Sequence, residues 1–220
     1  MKASKKDIIM NLLFKKTLPF FTLFVSILFV GTLILSYQKS SCALLAIALL
    51  IPYLVPLVLF RVICAIYPMK IGASFFGEDK FSPWISSYRI QQVYLMFPIL
   101  ERLLFIVPGL FNLWLRLWGS KIGKNVNFIP GVEVVDRGHI TIGDNVFIGN
   151  KCYFSPHVVQ VRKGRFFLYY KGITIGDNCF LGAFSTFGPG TEIASGTSLP
   201  SGSYYTVNKK TPGCLMPDYE

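Results

Sequence analysis

The sequence contains 220 residues, of which 52% are hydrophobic and only 15% are charged, and its formal net charge is +11. Soluble domains carry about 25% charged residues and disordered chains are poor in apolar residues, so this composition excludes both classes. Residues 1–121 carry a net charge of +9, and residues 122–220 carry a net charge of +2. Because the basic excess lies in the more apolar half, a membrane surface is the expected anionic partner rather than a nucleic acid.

The cysteines do not predict a metal site. They are widely spaced and form no C-x-x-C pair, so neither a zinc site nor a disulfide framework is expected, and we predict no metal. The five are Cys42, Cys64, Cys152, Cys179 and Cys214.

Two apolar segments predict a hairpin of transmembrane helices. Residues 18–37 and 42–60 contain no charge, and each run is long enough to cross a hydrocarbon core of about 30 Å. Most flanking Lys and Arg lie at the outer ends and only Lys39 lies in the turn, so the positive-inside bias predicts that both ends face the cytoplasm of a bacterial-type inner membrane. A cleaved signal peptide is the alternative for the first segment, but its apolar run is long and a second run follows at once.

Residues 84–118 are apolar but are interrupted by four charged residues and by Pro98 and Pro108. A continuous span would bury those charges at high cost, so we expect amphipathic helices in the headgroup layer. Tryptophans prefer the membrane boundary, and Trp84, Trp114 and Trp118 are expected there. A third or re-entrant span is the alternative, and it would change the side on which the following domain lies.

A six-residue period begins at Ile122. Eleven positions in this register are all apolar, and a small or β-branched residue follows four positions after each. Large and small inward residues at this period predict three short strands per coil, stacked as a parallel β-helix. The apolar positions are Ile122, Phe128, Val134, Ile142, Ile148, Phe154, Ile175, Leu181, Phe187, Ile193 and Leu199.

The period gives nearly four coils, over residues 122–139, 142–159, 175–192 and 193 to about 210. An insertion, residues 160–172, interrupts them. We expect a C-terminal cap from Tyr204 onward. Because the lateral faces of such a prism are flat, we also expect oligomerisation.

These features divide the chain into four segments. Residues 1–67 are the basic N-terminal segment and the transmembrane hairpin, and residues 68–118 are interfacial helices and linker. Residues 119–210 form the β-helix, and residues 211–220 are a C-terminal tail.

The stretch GITIGDNCFLGAFSTFGPGTEIASG, at residues 172–196, resembles the hexapeptide-repeat acyltransferases, a family that includes sugar and serine O-acetyltransferases. The resemblance covers residues 119–210. It implies a left-handed parallel β-helix, a homotrimer, and acyl transfer from a thioester such as acetyl-CoA at the cleft between subunits. The fold class expected for the whole chain is therefore mixed, with membrane-associated α-helices followed by a trimeric left-handed β-helix.

Acyl transfer to a hydroxyl or an amine needs a base of near-neutral pKa, and imidazole suits this best. The sequence contains only His139 and His157. The resemblance places the base role on His157, just before the insertion, whereas His139 is expected to be a turn residue. Asp136 is the expected orienting carboxylate, with Glu133 as the alternative.

The resemblance also assigns the oxyanion donors. The stretch LGAFS at residues 181–185 nominates the main chain of Gly182 and Ala183. Asp144 and Asp177, in the two IGDN motifs, are expected to be turn residues that bond their own backbone.

The resemblance implies that the cations after the last coil bind the nucleotide phosphates of coenzyme A, and a basic tail is the alternative. The insertion has two interpretations: it packs on a neighbouring subunit, or its aromatic residues contact lipid or a pantetheine arm while its cations bind phosphate. The residues expected to bind the co-substrate are Arg162, Lys163, Ser201, Lys209 and Lys210.

The function expected is a membrane-anchored acyltransferase, with its catalytic domain at the cytoplasmic face. It would act on a membrane-associated sugar, polysaccharide precursor or lipid, since tethering raises the effective concentration of the acceptor. Two alternatives stay open. One is N-acyl or aminoacyl transfer from the thioester of an acyl carrier protein, and the other is a non-catalytic β-helix scaffold.

Overall fold

A computed structural model describes residues 14–76 and 81–211 of the chain. They form two compact units. The helical unit contains the described residues up to 70 together with 81–100, and the repeat unit contains 71–76 and 101–211. Of the tail expected at residues 211–220, only residue 211 is among the described residues, and Cys214 lies outside them.

Two long apolar helices form the first part of the helical unit, as the sequence predicts. A 3-10 turn, Leu18–Phe20, leads into α1 (Phe21–Gln38), and α2 spans Cys42–Ile66. The helical stretches 14–38 and Cys42–Ile66 have mean hydropathies of 2.4 and 2.6, so both are long and apolar enough to cross a membrane. The Ser41 hydroxyl accepts a hydrogen bond from the Leu44 N–H at 3.4 Å and caps α2.

The two prolines inside α2 do not end it. Proline has no N–H, so Pro56 leaves the carbonyl of Pro52 without its helical donor. The Tyr94 hydroxyl, from α3 (Pro83–Met96), donates to that carbonyl at 2.9 Å. Tyr94 is 2% exposed, so α3 satisfies a carbonyl that would otherwise be buried without a partner.

The repeat unit is a parallel β-helix. Its strands form three four-stranded parallel sheets, one strand of each sheet per coil. We number the faces in chain order: face 1 contains β2 (Lys121–Ile122), β5 (Ile140–Ile142), β10 (Ile173–Ile175) and β13 (Glu192–Ile193). Face 2 contains β3 (Asn127–Phe128), β6 (Phe147–Ile148), β11 (Phe180–Leu181) and β14 (Ser198–Leu199). Face 3 contains β4 (Glu133–Val134), β7 (Tyr153–Phe154), β12 (Thr186–Phe187) and β15 (Tyr204–Tyr205).

The register of the sheets follows the six-residue period. Ile122, Ile142, Ile175 and Ile193 lie one above another on face 1. All eleven apolar positions of the period are buried. The predicted parallel coil is therefore confirmed, and the stacking is consistent with a left-handed β-helix.

The sequence prediction is wrong about the end of the coil. Tyr204 and Tyr205 form β15, which pairs with β12, so they complete the fourth coil and do not begin a cap. A parallel bridge between Glu192 and Lys210 then starts a further layer.

The two corner aspartates also differ from expectation. They do lie in turns, but they bond the main chain of the preceding coil and not their own. Asp144 Oδ1 accepts from the Lys124 N–H at 2.6 Å, and Asp177 Oδ1 accepts from the Asp144 N–H at 2.7 Å.

The insertion is a β-hairpin. β8 (His157–Arg162) and β9 (Arg165–Tyr170) are joined by Lys163 and Gly164, whose φ values of 50° and 70° suit a two-residue hairpin turn. β1 (Gly72–Phe76) pairs with β9, which gives an antiparallel sheet in the order β1-β9-β8. The sequence did not predict β1, since five residues are too few to show a period.

The protein itself buries the three tryptophans expected at a membrane boundary, so their rings do not face lipid directly, and their place at the boundary stays a prediction. The chain passes through α4 (Ile99–Leu103) and a 3-10 turn (Leu104–Ile106) to α5 (Leu110–Trp118). Arg116 of α5 donates to the carbonyls of Ile122 and Gly123 at 2.9 and 2.7 Å. The α5 segment therefore packs on the first coil and satisfies its open carbonyls, which the apolar pattern of 84–118 did not reveal.

Candidate active site

The structure brings His157 and Asp136 together at one corner of the coil. β4 and β7 are neighbours on face 3, so the residues that follow them reach the same corner one coil apart. His157 Nδ1 lies 2.5 Å from Asp136 Oδ2. The side chain of Asp136 is 1% exposed and that of His157 is 16% exposed.

This contact determines the tautomer of the imidazole. A carboxylate beside Nδ1 holds the proton of the neutral ring there, so the lone pair lies on Nε2. Asp136 Oδ1 is buried and has no hydrogen-bond partner among the described residues. Burying a carboxylate that is only half satisfied costs free energy, so Asp136 is a candidate functional group rather than a stabilising one.

The backbone around His157 is held on two sides. The Ser155 hydroxyl donates to the carbonyl of His157 at 2.9 Å, and His157 pairs across the hairpin with Tyr170. Tyr170 is 1% exposed, which places the histidine at the buried root of the hairpin. The ring is thus carried by rigid main chain, as a positioned base requires.

His139 occupies a turn, as expected. Its N–H donates to the carbonyl of Asp136 at 3.3 Å, and its ring packs edge-to-face on Tyr170 with centroids 4.9 Å apart. Burial lowers the pKa of His139, and the nearby charge of Asp136 opposes that shift only in part. The alternative carboxylate, Glu133, is exposed on the outer side of face 3.

Gly182 and Ala183 lie at a different corner from His157. They follow β11 and lead from face 2 to face 3, whereas His157 follows β7 of face 3. The Gly182 N–H donates to the carbonyl of Leu199 at 2.9 Å and belongs to the ladder, so Ala183 is the candidate main-chain donor of the pair. One chain alone does not bring these donors to the histidine.

The five residues expected to bind the co-substrate also lie apart within one chain. Arg162 is near the hairpin tip with its guanidinium 4.2 Å from the Phe167 ring centroid, and Lys163 is in the turn itself. At the last coil, Lys210 Nζ lies 2.5 Å from Glu192 Oε2, and Lys209 Nζ lies 5.0 Å from the Tyr205 ring centroid. The fifth, Ser201, is exposed in the turn after β14.

Sequence reasoning missed a buried ion pair beside the site. Arg137 is 1% exposed, and its Nε and Nη2 each lie 2.6 Å from a carboxylate oxygen of Glu101. The Trp114 indole N–H donates to the same carboxylate at 3.1 Å. The available signal was that Arg137 directly follows Asp136 within the irregular step between the first two coils.

Comparison with known proteins agrees with the repeat pattern. Residues 139–159 and 172–204 match the family described as the hexapeptide repeat of succinyl-transferase. The repeat unit is thus a hexapeptide-repeat domain. No curated protein matches the sequence.

Two solved structures are similar to the chain at low identity. One is a hexapeptide-repeat-containing acetyltransferase from Vibrio cholerae in complex with acetyl coenzyme A, with 17% identity, coverage of 55% of this chain and 85% of that chain, and a TM-score of 0.36. The other is serine acetyltransferase isoform 3 from Entamoeba histolytica in complex with cysteine, with 10% identity, coverage of 80% and 63%, and a TM-score of 0.30. These similarities are too low to support a site assignment, which rests on the residues themselves.

Proposed function

We propose that this protein is a membrane-anchored acyltransferase that moves an acyl group, acetyl from coenzyme A, to a hydroxyl or an amine of a membrane-associated acceptor. The observation that carries the proposal is the contact between His157 Nδ1 and the buried carboxylate of Asp136, within a hexapeptide-repeat domain. Such a pair is suited to remove a proton from a nucleophile near neutral pH.

The proposed reaction balances with these groups alone. His157 Nε2 takes the proton of the acceptor hydroxyl or amine while the acceptor attacks the thioester carbonyl. Asp136 stabilises the imidazolium that forms. The carbon–sulfur bond then breaks, and the departing thiolate takes the proton from His157, which returns the base to its starting state. The negative charge that develops on the carbonyl oxygen needs a positioned donor, for which we propose the main-chain N–H of Ala183.

Because Ala183 and His157 lie at different corners, we propose that they meet between subunits of a homotrimer. The exposed surface near Ala183 supports this. Phe147 and Phe180 stack on face 2 with centroids 5.5 Å apart and are 39% and 44% exposed, and Phe184, in the same turn as Ala183, is 60% exposed. Exposed aromatic rings on a flat sheet face favour burial against another copy of the chain.

The candidate coenzyme A-binding residues are also separated within one chain. The cations at the hairpin tip and those at the last coil lie at opposite ends of the hairpin in one chain, because Tyr169 and Lys171 at its root contact Asn208. We propose that Arg162, Lys163, Ser201, Lys209 and Lys210 contribute to binding coenzyme A phosphates across the subunit cleft.

A membrane-associated acceptor is supported by two features. The two apolar helices could anchor the enzyme in the membrane that holds the acceptor, and the flanking basic residues favour a cytoplasmic catalytic domain. In addition, Val159 and Val161 lie on the same face of β8 as His157, and Val161 is 66% exposed. An apolar row that ends at the base would suit an acceptor with a lipid tail.

The test is mass spectrometry of lipids and lipid-linked glycans from cells that produce the wild type or the variant H157Q at equal levels. We expect a species heavier by one acyl group with the wild type, and its loss with H157Q. The same species in both samples would remove His157 as the base. No shifted species and no thioester consumption with the wild type would favour a scaffold instead.

A further inference from the structure

We propose that Glu101 is a positioning residue for the proposed reaction: it binds Arg137 at two points and so keeps Asp136 directed at His157. The inference rests on the proposed function of the His157–Asp136 pair. Asp136 and Arg137 are consecutive residues in the corner between β4 and β5, and both are 1% exposed. A change in the direction of the Arg137 side chain therefore acts on Asp136 through one peptide unit.

The corner itself has few regular bonds to hold it. Val134 and Ile142, the equivalent inward positions on either side, are eight residues apart where six is the period. Within this longer step, the His139 N–H donates to the carbonyl of Asp136 at 3.3 Å, which is a long hydrogen bond. Main-chain bonds hold the two ends of the step, from the Val135 N–H to the Phe154 carbonyl at 3.0 Å and from the Ile173 N–H to the His139 carbonyl at 3.2 Å. Side chains add to the hold on Asp136 and Arg137 between them.

Two side chains outside the corner, those of Glu101 and Ser120, hold Arg137 in place. The Glu101 carboxylate receives the Nε and Nη2 of Arg137, each at 2.6 Å, in the two-point geometry that fixes the orientation of a guanidinium. From the main-chain side, the Ser120 hydroxyl donates to the carbonyl of Arg137 at 2.6 Å and accepts from the Ile140 N–H at 3.1 Å. Asp136 is thus followed by a residue that is fixed at both its side chain and its carbonyl.

Stability does not explain the ion pair. Removing two charges from water is costly, and apolar side chains of similar volume often stabilise a fold as well or better. The site gives a reason to keep it. Without Glu101, the buried guanidinium of Arg137 would lose this carboxylate, and the preceding residue, Asp136, carries another. Glu101 neutralises Arg137, so Asp136 stays available to His157.

The experiment compares wild type, E101Q and the control R102Q in nanodiscs, by thiol release from acetyl-CoA with a membrane lipid extract as acceptor. Arg102 is exposed on the same helix, so R102Q also removes one charge there. We expect E101Q to lower kcat about 10- to 100-fold with little change in KM for acetyl-CoA, since a misplaced group costs turnover more than binding. R102Q should keep wild-type kcat.

The pH profile separates positioning from a loss of folded protein. Asp136 contacts His157, and Tyr170 pairs with His157 across the hairpin and packs on the His139 ring. Behind Asp136, Arg137 pairs with Glu101. In E101Q the charge of Arg137 offsets that of Asp136, which disfavours the imidazolium, so the acidic limb of kcat/KM should move to lower pH. A lower amount of folded enzyme would reduce the rate at every pH and leave the limb in place.

Wild-type kcat and an unmoved acidic limb in folded E101Q would overturn the inference. If E101Q does not fold, R137K carries the test, because lysine keeps the charge but cannot bind at two points; a wild-type kcat in R137K would overturn the inference as well. Failure of the proposed function is distinguishable from failure of this inference, because in the first case the wild type itself releases no thiol.

Discussion

Replacing Asp136 by asparagine should lower turnover without lowering stability. The amide keeps the shape of the side chain but removes the negative charge 2.5 Å from His157 Nδ1, so neither the tautomer nor the imidazolium is favoured any longer. A positioned base contributes about 10²- to 10⁴-fold to a rate. We therefore expect kcat/KM to fall by at least about 100-fold, which corresponds to about 2.7 kcal/mol of lost transition-state stabilisation.

The free energy of unfolding of D136N should be equal to that of the wild type or higher. Asp136 is 1% exposed, and its Oδ1 has no hydrogen-bond partner among the described residues, so the folded state holds a poorly satisfied charge. A neutral amide in that place removes part of the desolvation cost. The assays are thiol release from acetyl-CoA and thermal unfolding in the same detergent. Unchanged turnover in D136N, or a loss of activity that follows a loss of Tm, would refute the reasoning.

Four further variants test the fold and its surroundings. Gly182→Ala should lower the free energy of unfolding by about 1–3 kcal/mol, since its Cβ would meet the main chain at Ser201. Phe187→Ala should lower it by about 3–5 kcal/mol because that ring is fully buried. Chemical denaturation measures both, and no change in either variant would contradict the stacking. Burial holds the pKa of His139 below its usual value, so the contribution of the neutral ring to stability is present above about pH 6.5 and is lost as the pH falls. As the pH is lowered, Tm should therefore decline less for H139Q than for the wild type. Parallel curves of Tm against pH would contradict this. Phe180→Glu should convert the proposed trimer to smaller species in native mass spectrometry, and an intact trimer would remove face 2 from the interface.

The sequence predicted the coil well because the six-residue period is a direct consequence of its geometry. Each short strand places one large residue on the axis, so on face 1 Ile122, Ile142, Ile175 and Ile193 recur in register and stack in the structure. The two apolar helices followed from length and composition in the same way. Where the pattern was periodic, local sequence was sufficient.

The remaining features depend on contacts between distant residues. Nothing in the local sequence around Glu101 shows that it pairs with Arg137, and the apolar character of α5 is the same whether it faces lipid or a coil. β1 pairs with β9 across more than ninety residues of chain, as in Ala73 with Tyr169. The resemblance to a family nominated His157 and Asp136, but only the structure shows that the two side chains touch.

The most direct test of the account is thioester turnover by the purified full-length protein in nanodiscs, with H157Q and H139Q compared with the wild type at matched trimer content. The account predicts acetyl-CoA-dependent release of thiol by the wild type, a loss of at least about 100-fold in H157Q, and no more than about a 10-fold loss in H139Q. Equal turnover by the wild type and H157Q, or a greater loss in H139Q than in H157Q, would contradict it.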